Sequence, residues 1–264
     1  MVLSLETMYK SLEYTSLLRG KMGIEADSVL LVSHLFLRAI GSRIFIHHAN
    51  RIPSEGGILV VSNHRSFMDP LLLTVAVNRP IRFACHHYMG QVPVLREVVK
   101  GLGCFPLDNP SHRQKHFFQQ ATELLQAQEM VGVFPEGATP MVNFTPPDRL
   151  GNLQRGFAHL ALRAPVSNLA ILPVAIASSE EQLISSRIPL KLLSFFDPSE
   201  PLFNQPGWHP AIVYQRSNVM FGRPFWITAS HRQQYQGKQA KQLVNQLTNY
   251  VSQEIASLLQ KGCF

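Results

Sequence analysis

The chain has 264 residues, 45% of them hydrophobic, which is enough for one large α/β domain with a sizeable core and excludes a disordered chain. Lys and Arg outnumber Asp and Glu by 24 to 17, a formal charge of +7 that favours an anionic partner, but the basic residues stand singly, without interleaved stacking aromatics. That pattern argues against nucleic acid and for a lipid surface.

Cys85, Cys104 and Cys263 form an odd set without CxxC spacing, which speaks against a disulfide framework or a structural zinc and fits a reducing compartment. The opening Met1 to Glu6 lacks the basic start, apolar core and cleavage site of a secretory signal, so an intracellular protein is expected.

Ser28 to His48 is the most apolar long stretch, but Arg38 and Arg43 interrupt it. Its charge-free part falls short of the roughly 20 residues that span a bilayer. It reads either as an interfacial helix whose cations reach headgroups or as a helix packed on the domain. Residues 1–50 are therefore assigned to an N-terminal helical segment, membrane-associating on the first of these readings, and residues 51–264 to the main domain.

After the turn signal Pro53 to Gly57, Ile58 to Val61 is short, β-branched and apolar on both faces, as in a buried parallel strand. It ends at Ser62-Asn63-His64. Ser66 and Asp69 have capping-box spacing, and Pro70 suits the first turn of the helix that continues through Val77. The alternation recurs: strand at Ile81 to Cys85, helix at Val94 to Leu102, strand at Cys104 to Leu107 and amphipathic helix at Arg113 to Gln128. A strand at Met130 to Phe134 ends in Pro135-Glu136-Gly137, followed by a helix at Gly156 to Arg163 and a strand at Leu169 to Ala177.

This order predicts an α/β fold with a largely parallel central sheet flanked by helices, its strand ends gathered on one side. Residues 138–152 and 178–210, rich in Pro, Ser and Asn, read as surface loops or lids. From Lys238 to Gln260, Leu243, Leu247, Val251, Ile255 and Leu258 recur near one helical face and predict a closing C-terminal helix.

His64 and Asp69 are five residues apart, which on a continuous helix would set them about 140° from one another. They meet only if the chain turns between them, as the strand end and helix start allow. A His at a strand end with a carboxylate fixing its tautomer is a plausible general base for deprotonating a hydroxyl; on spacing alone, Asp69 serves equally well as a helix cap. Glu136 either bonds acceptor hydroxyls or orders the site, and Gly137 lets backbone approach a substrate. The pairs His47-His48 and His86-His87 point to opposite faces of a strand, so no metal is expected. There is no P-loop and no Gly-x-Ser-x-Gly elbow.

Taken together, four ordered segments from about Arg51 to Ala177 resemble the glycerolipid acyltransferase family, which includes the 1-acylglycerol-3-phosphate acyltransferases. Asn63, His64 and Asp69 match its Asn-His-x4-Asp motif. Gly103 to Asn109 stands where the family has Gly-x-x-Phe-Ile-x-Arg, keeping Phe105 and placing Asn109 at the Arg. Phe134-Pro135-Glu136-Gly137-Ala138-Thr139 keeps the Glu-Gly core of Phe-Pro-Glu-Gly-Thr-Arg and loses the Thr and Arg. Ile171 to Ala175 matches the Pro-containing strand, with Arg155-Gly156 before it.

The resemblance implies an O-acyltransferase in which His64 is the base and Asp69 orients it. Asn63, Phe105, Asn109, Glu136, Gly137 and Arg155 would line the substrate site. An acyl-CoA or acyl carrier protein thioester would be the donor, with no cofactor, and a lysophospholipid such as 1-acyl-sn-glycerol-3-phosphate the acceptor at a membrane surface. Asn109 and Thr139 cannot supply the bidentate cation that a phosphate favours. That leaves open Arg155 as its replacement, a phosphate-free acceptor, or a lipid-binding protein that has lost turnover.

Overall fold

In the computed structural model, residues 28–85, 104–106, 113–137, 139–191 and 204–262 are described. A helix over residues 28–39 (α1) precedes β1 (Arg43–His47), a 3-10 turn, β2 (Gly57–Ser62) and α2 (Asp69–Val77). Then come β3 (Ile81–Cys85), β4 (Phe105–Pro106), α3 (Arg113–Gln126), β5 (Met130–Val133), a short α4 (Thr139–Val142) and α5 (Gly156–Arg163). The chain closes with β6 (Leu169–Pro189), β7 (Trp208–Phe221), β8 (Phe225–Ile227), α6 (Ala229–Gln234) and α7 (Gly237–Gly262).

Among the described residues these strands form an 8-stranded sheet in the order β1-β7-β6-β2-β5-β3-β4, with β8 paired to β6. The pairs β1/β7, β6/β2, β2/β5, β5/β3 and β3/β4 are parallel; β6/β7 and β6/β8 are antiparallel. Every residue of β2 is buried, because the strand lies mid-sheet with packed layers on both faces, as its continuous apolar run requires.

One face packs on α3, α5 and α7 through Leu59, Val61, Leu125, Leu160 and the α7 stripe. That stripe includes the predicted Leu243, Leu247, Val251, Ile255 and Leu258, all buried, and each such side chain removed from water is worth about 1.5–3 kcal/mol. The other face packs Ile58, Val60, Met68 and the apolar residues of α2 against Leu37 of α1. The helix α2 begins with Pro70 in its first turn and stops at Asn78 in the left-handed region (φ 54), a conformation Asn tolerates better than most residues.

The structure differs from the sequence expectations in three places. Residues 178–189 and 208–210, read as loop, belong to β6 and β7, which pair antiparallel as far as Pro189 and Trp208. Glu180, Gln182 and Leu183 are exposed on this ribbon, so its sequence shows no apolar alternation; the ladder itself supplies the strand. The stretch 28–48 is two elements rather than one helix: Gly41 (φ 70) follows α1, and β1 then joins the sheet beside β7. The boundary drawn at residue 50 therefore falls after the first strand of the sheet. The predicted helix at 94–102 lies outside the described residues.

Candidate active site

Because β2, β5 and β6 run parallel, their carboxyl ends open on one edge, where Asn63, Phe134 and Ile176 come together. Asn63 continues the β2/β6 ladder with its side chain. Its Nδ2 donates to the Ile176 carbonyl at 2.9 Å, and its Oδ1 accepts from the Ile176 N–H at 2.8 Å. At 1% exposed, this amide fixes the end of β2 and is not presented to a ligand.

His64 follows, and the chain turns as its spacing to Asp69 demands. Nδ1 of His64 lies 2.8 Å from Oδ2 of Asp69. The same oxygen accepts the backbone N–H groups of Arg65 at 2.7 Å and Ser66 at 2.9 Å, while Ser66 Oγ accepts from Met68 N–H at 3.1 Å. This fully buried carboxylate thus both closes the turn before α2 and holds the ring, while the helix N-cap itself is Met68, without a side-chain cap bond. The His64 side chain keeps 22% of its surface accessible, and Nε2 has no hydrogen bond among the described residues.

The ring is held from the side by an aromatic column. His64 stacks on Phe134 (centroids 4.3 Å apart, planes at 18°), and Phe134 stacks on Phe83 (5.2 Å, 6°). Phe83 faces Gly132 on the neighbouring strand, where an added Cβ would sit 2.2 Å from the Phe83 ring. The column therefore requires a glycine at position 132.

Glu136 is 4% exposed and spends its two oxygens on backbone: Oε2 accepts from His64 N–H at 2.7 Å and Oε1 from Gly151 N–H at 2.7 Å. Burial raises its pKa, and the two N–H groups offset part of that effect. Of the two roles considered for it, the geometry supplies the ordering one. Gly137 takes φ 67 in the turn closed by its N–H to the Phe134 carbonyl, a conformation that costs other residues more. The turn is backed by Gln154, whose N–H donates to the Pro135 carbonyl at 2.8 Å. That contact brings Arg155, exposed and without an ion pair among the described residues, to the rim of the turn.

Phe105 lies elsewhere. On edge strand β4 it stacks on Phe117 of α3 (6.3 Å) and packs with the cluster on the opposite sheet face from Phe134. Thr139 opens α4 and is exposed. Asn109 lies outside the described residues.

Sequence reasoning gave no role to Arg65. Its guanidinium forms a bidentate pair with Glu181 (2.7 and 2.8 Å), and its Nε donates to the Thr145 carbonyl at 2.7 Å. Burial opposes its charge, but the Glu181 bonds and the surrounding negative charges of Glu181 and Asp69 together hold the group above its ordinary pKa. This arginine ties the loop that carries His64 to β6 and to the segment after α4, through Nε and both terminal nitrogens. Nothing local in the sequence marks it, because its partners lie 80 and 116 residues away.

This fold, with a His-Asp pair at the open edge of its parallel strands, is that of an acyltransferase. Residues 43–177, just over half the chain, match the family model described as Acyltransferase, and the chain belongs to that family. An uncharacterized protein of Mycobacterium leprae is 29% identical over 204 residues, covering 70% of this chain and 52% of that protein. Uncharacterized proteins of Mycobacterium bovis and Mycobacterium tuberculosis are similar over 69% of the chain and 52% of their own length, also at 29% identity. The chain thus spans about half the length of these relatives. A Mycoplasma pneumoniae protein named "Probable 1-acyl-sn-glycerol-3-phosphate acyltransferase" is 26% identical over 170 residues, 62% of this chain and 60% of that protein. Among solved structures, the 1-acyl-sn-glycerophosphate acyltransferase PlsC of Thermotoga maritima shares the fold at TM-score 0.56 and 15% identity, over 89% of this chain and 78% of that one.

Proposed function

We propose that this protein transfers a fatty acyl group from an acyl-CoA or acyl carrier protein thioester to the hydroxyl of a lysophospholipid, with 1-acyl-sn-glycerol-3-phosphate as the leading acceptor. The observation that carries the reading is the His64–Asp69 contact, which commits Nδ1 and leaves Nε2 as the ring atom for a substrate. Nε2 takes the proton of the acceptor hydroxyl as its oxygen attacks the thioester carbonyl. Asp69 offsets the imidazolium charge, the tetrahedral intermediate expels the thiolate, and His64 returns the proton to sulfur. A thioester is reactive enough that no acyl-enzyme is needed.

The reaction is proposed to take place at a membrane surface, with the protein held there peripherally or monotopically. No helix among the described residues is long and apolar enough to cross a membrane. Support comes instead from α1, which buries Val29, Ser33 and Leu37 but turns Leu31, Val32, Leu35 and Phe36 outward. Phe36 meets the exposed Phe67 of the His64–Asp69 loop edge-on at 6.4 Å, so this apolar face reaches the site.

Thiol release from two acyl donors against a panel of acceptors tests the proposal. His64→Ala should lower turnover by about 10²–10⁴ in a folded protein, and Asp69→Asn should also impair it. Wild-type turnover in His64→Ala would sink the proposed base. A phosphate-free acceptor is the second reading, favoured by the commitment of Arg65 to Glu181. If the acceptor carries phosphate, Arg155→Ala raises its KM; an unchanged KM favours the neutral acceptor.

A further inference from the structure

Strand β7 runs directly beneath the loop that carries the base. The Ile212 carbonyl accepts from Ser66 Oγ at 2.5 Å, and the Tyr214 N–H donates to Met68 Sδ at 3.3 Å. The strand's backbone therefore grips the turn between His64 and Asp69 at two points. The same register buries the Tyr214 side chain to 1% exposure, next to an Asp69 that is itself fully buried.

The two carboxylate oxygens of Asp69 are used unequally. Oδ2 holds His64 Nδ1 and two backbone N–H groups, while Oδ1, equally enclosed, completes no hydrogen bond among the described residues. Oη of Tyr214 is also enclosed and completes none, and the Tyr214 N–H bond to Met68 sets this residue against the turn that carries Asp69. A buried acceptor and a buried donor on adjoining segments match in chemistry, and both are closed to bulk solvent.

Among the described residues, the other charged and titratable groups around Asp69 are bound elsewhere. His64, on the same loop, is bound at Oδ2. The Arg65 guanidinium is committed to Glu181 of β6 and to the Thr145 carbonyl. Glu136, on the turn after β5, is an acceptor whose oxygens hold backbone N–H groups. Among the described charged and titratable groups, that leaves Tyr214 of β7 as the donor for Oδ1.

We infer that Tyr214 is a positioning residue for the base: its hydroxyl is the donor for Asp69 Oδ1, so the carboxylate is fixed at both oxygens and keeps His64 held through Nδ1 with Nε2 toward substrate. This rests on the reading of His64 as base. Burial first, and then the charge of Asp69, push the phenol well above its ordinary pKa, so it stays a donor at working pH.

The test is Tyr214→Phe, which keeps the ring and removes the donor. A kcat about tenfold lower is expected, with KM for donor and acceptor within about twofold. The ¹⁵N imidazole titration of His64 should move to higher pH, because a carboxylate relieved of its donor stabilises the imidazolium more strongly. An unmoved His64 titration overturns the inference, and so does a loss of thermal stability unaccompanied by that shift. If Tyr214→Phe does not fold, Asp69→Asn in protein labelled at tyrosine Cζ decides: the Tyr214 signal must move, and a stationary signal overturns the assignment. The base reading fails separately, on full activity in His64→Ala, because the His64 titration reports on Tyr214 whatever the chemistry.

Discussion

The backbone N–H of His64 donates to Glu136 Oε2 at 2.7 Å, while the other oxygen of Glu136 accepts the N–H of Gly151. His64 is thus fixed twice, through its ring by Asp69 and through its main chain by a carboxylate 72 residues further on. The Glu-Gly segment acts on His64 through the backbone.

Glu136→Gln tests this relationship. A carboxamide has one oxygen, so its NH₂ must face either the His64 or the Gly151 N–H, leaving a buried donor unmet at a cost of about 1–3 kcal/mol. Urea denaturation should show that loss, together with reduced kcat. The pH dependence has a definite sign. Because the folded pKa of Glu136 is raised, the group's contribution to stability is fully present below the ordinary glutamate value and is lost as pH rises through the raised one. The Gln variant should lack this component.

Arg65 and Glu181 form the second test. In Glu181→Gln the guanidinium, whose side chain is 1% exposed, keeps its charge but loses its counter-charge, and stability should fall by about 3 kcal/mol in urea or thermal denaturation. KM for a phosphate-bearing acceptor should not improve. If the freed arginine instead lowered that KM, it would be an anion ligand in reserve rather than a brace.

The outward face of α1 gives the third. Each exposed Leu withdrawn into lipid is worth about 1.5–3 kcal/mol, so Leu31→Ser with Leu35→Ser should weaken co-sedimentation with anionic vesicles by at least about tenfold. Turnover of a water-soluble short-chain acceptor should persist, since neither side chain belongs to the His64–Asp69 site. Unchanged vesicle binding would remove α1 from the proposed membrane contact.

Part of this site was legible because it is written locally. The β-branched run before Asn63, the Ser66 and Asp69 spacing and the Pro at position 70 specify a strand, a turn and a helix within a few residues. The long amphipathic helix α7 was legible for the same reason: its stripe repeats with the helical period, and Leu243 through Leu258 are buried as that repeat requires. Less legible was the ribbon of β6 and β7, whose polar, Pro-bearing sequence pairs only because two distant strands supply each other's hydrogen bonds.

The sequence by itself therefore determined the α/β order, the closing helix and the joint presence of His64, Asp69 and the Glu136–Gly137 turn, since these follow from periodicity, capping and short motifs. The tertiary structure alone decided what each side chain does. It committed Asn63 to Ile176, Arg65 to Glu181 and both oxygens of Glu136 to backbone, sent Phe105 to the far face, and buried Tyr214 beneath the turn between His64 and Asp69. The physical reason is that a hydrogen bond or a stacked ring depends on distances between residues tens to more than a hundred positions apart, which sheet order and register create and local sequence does not encode.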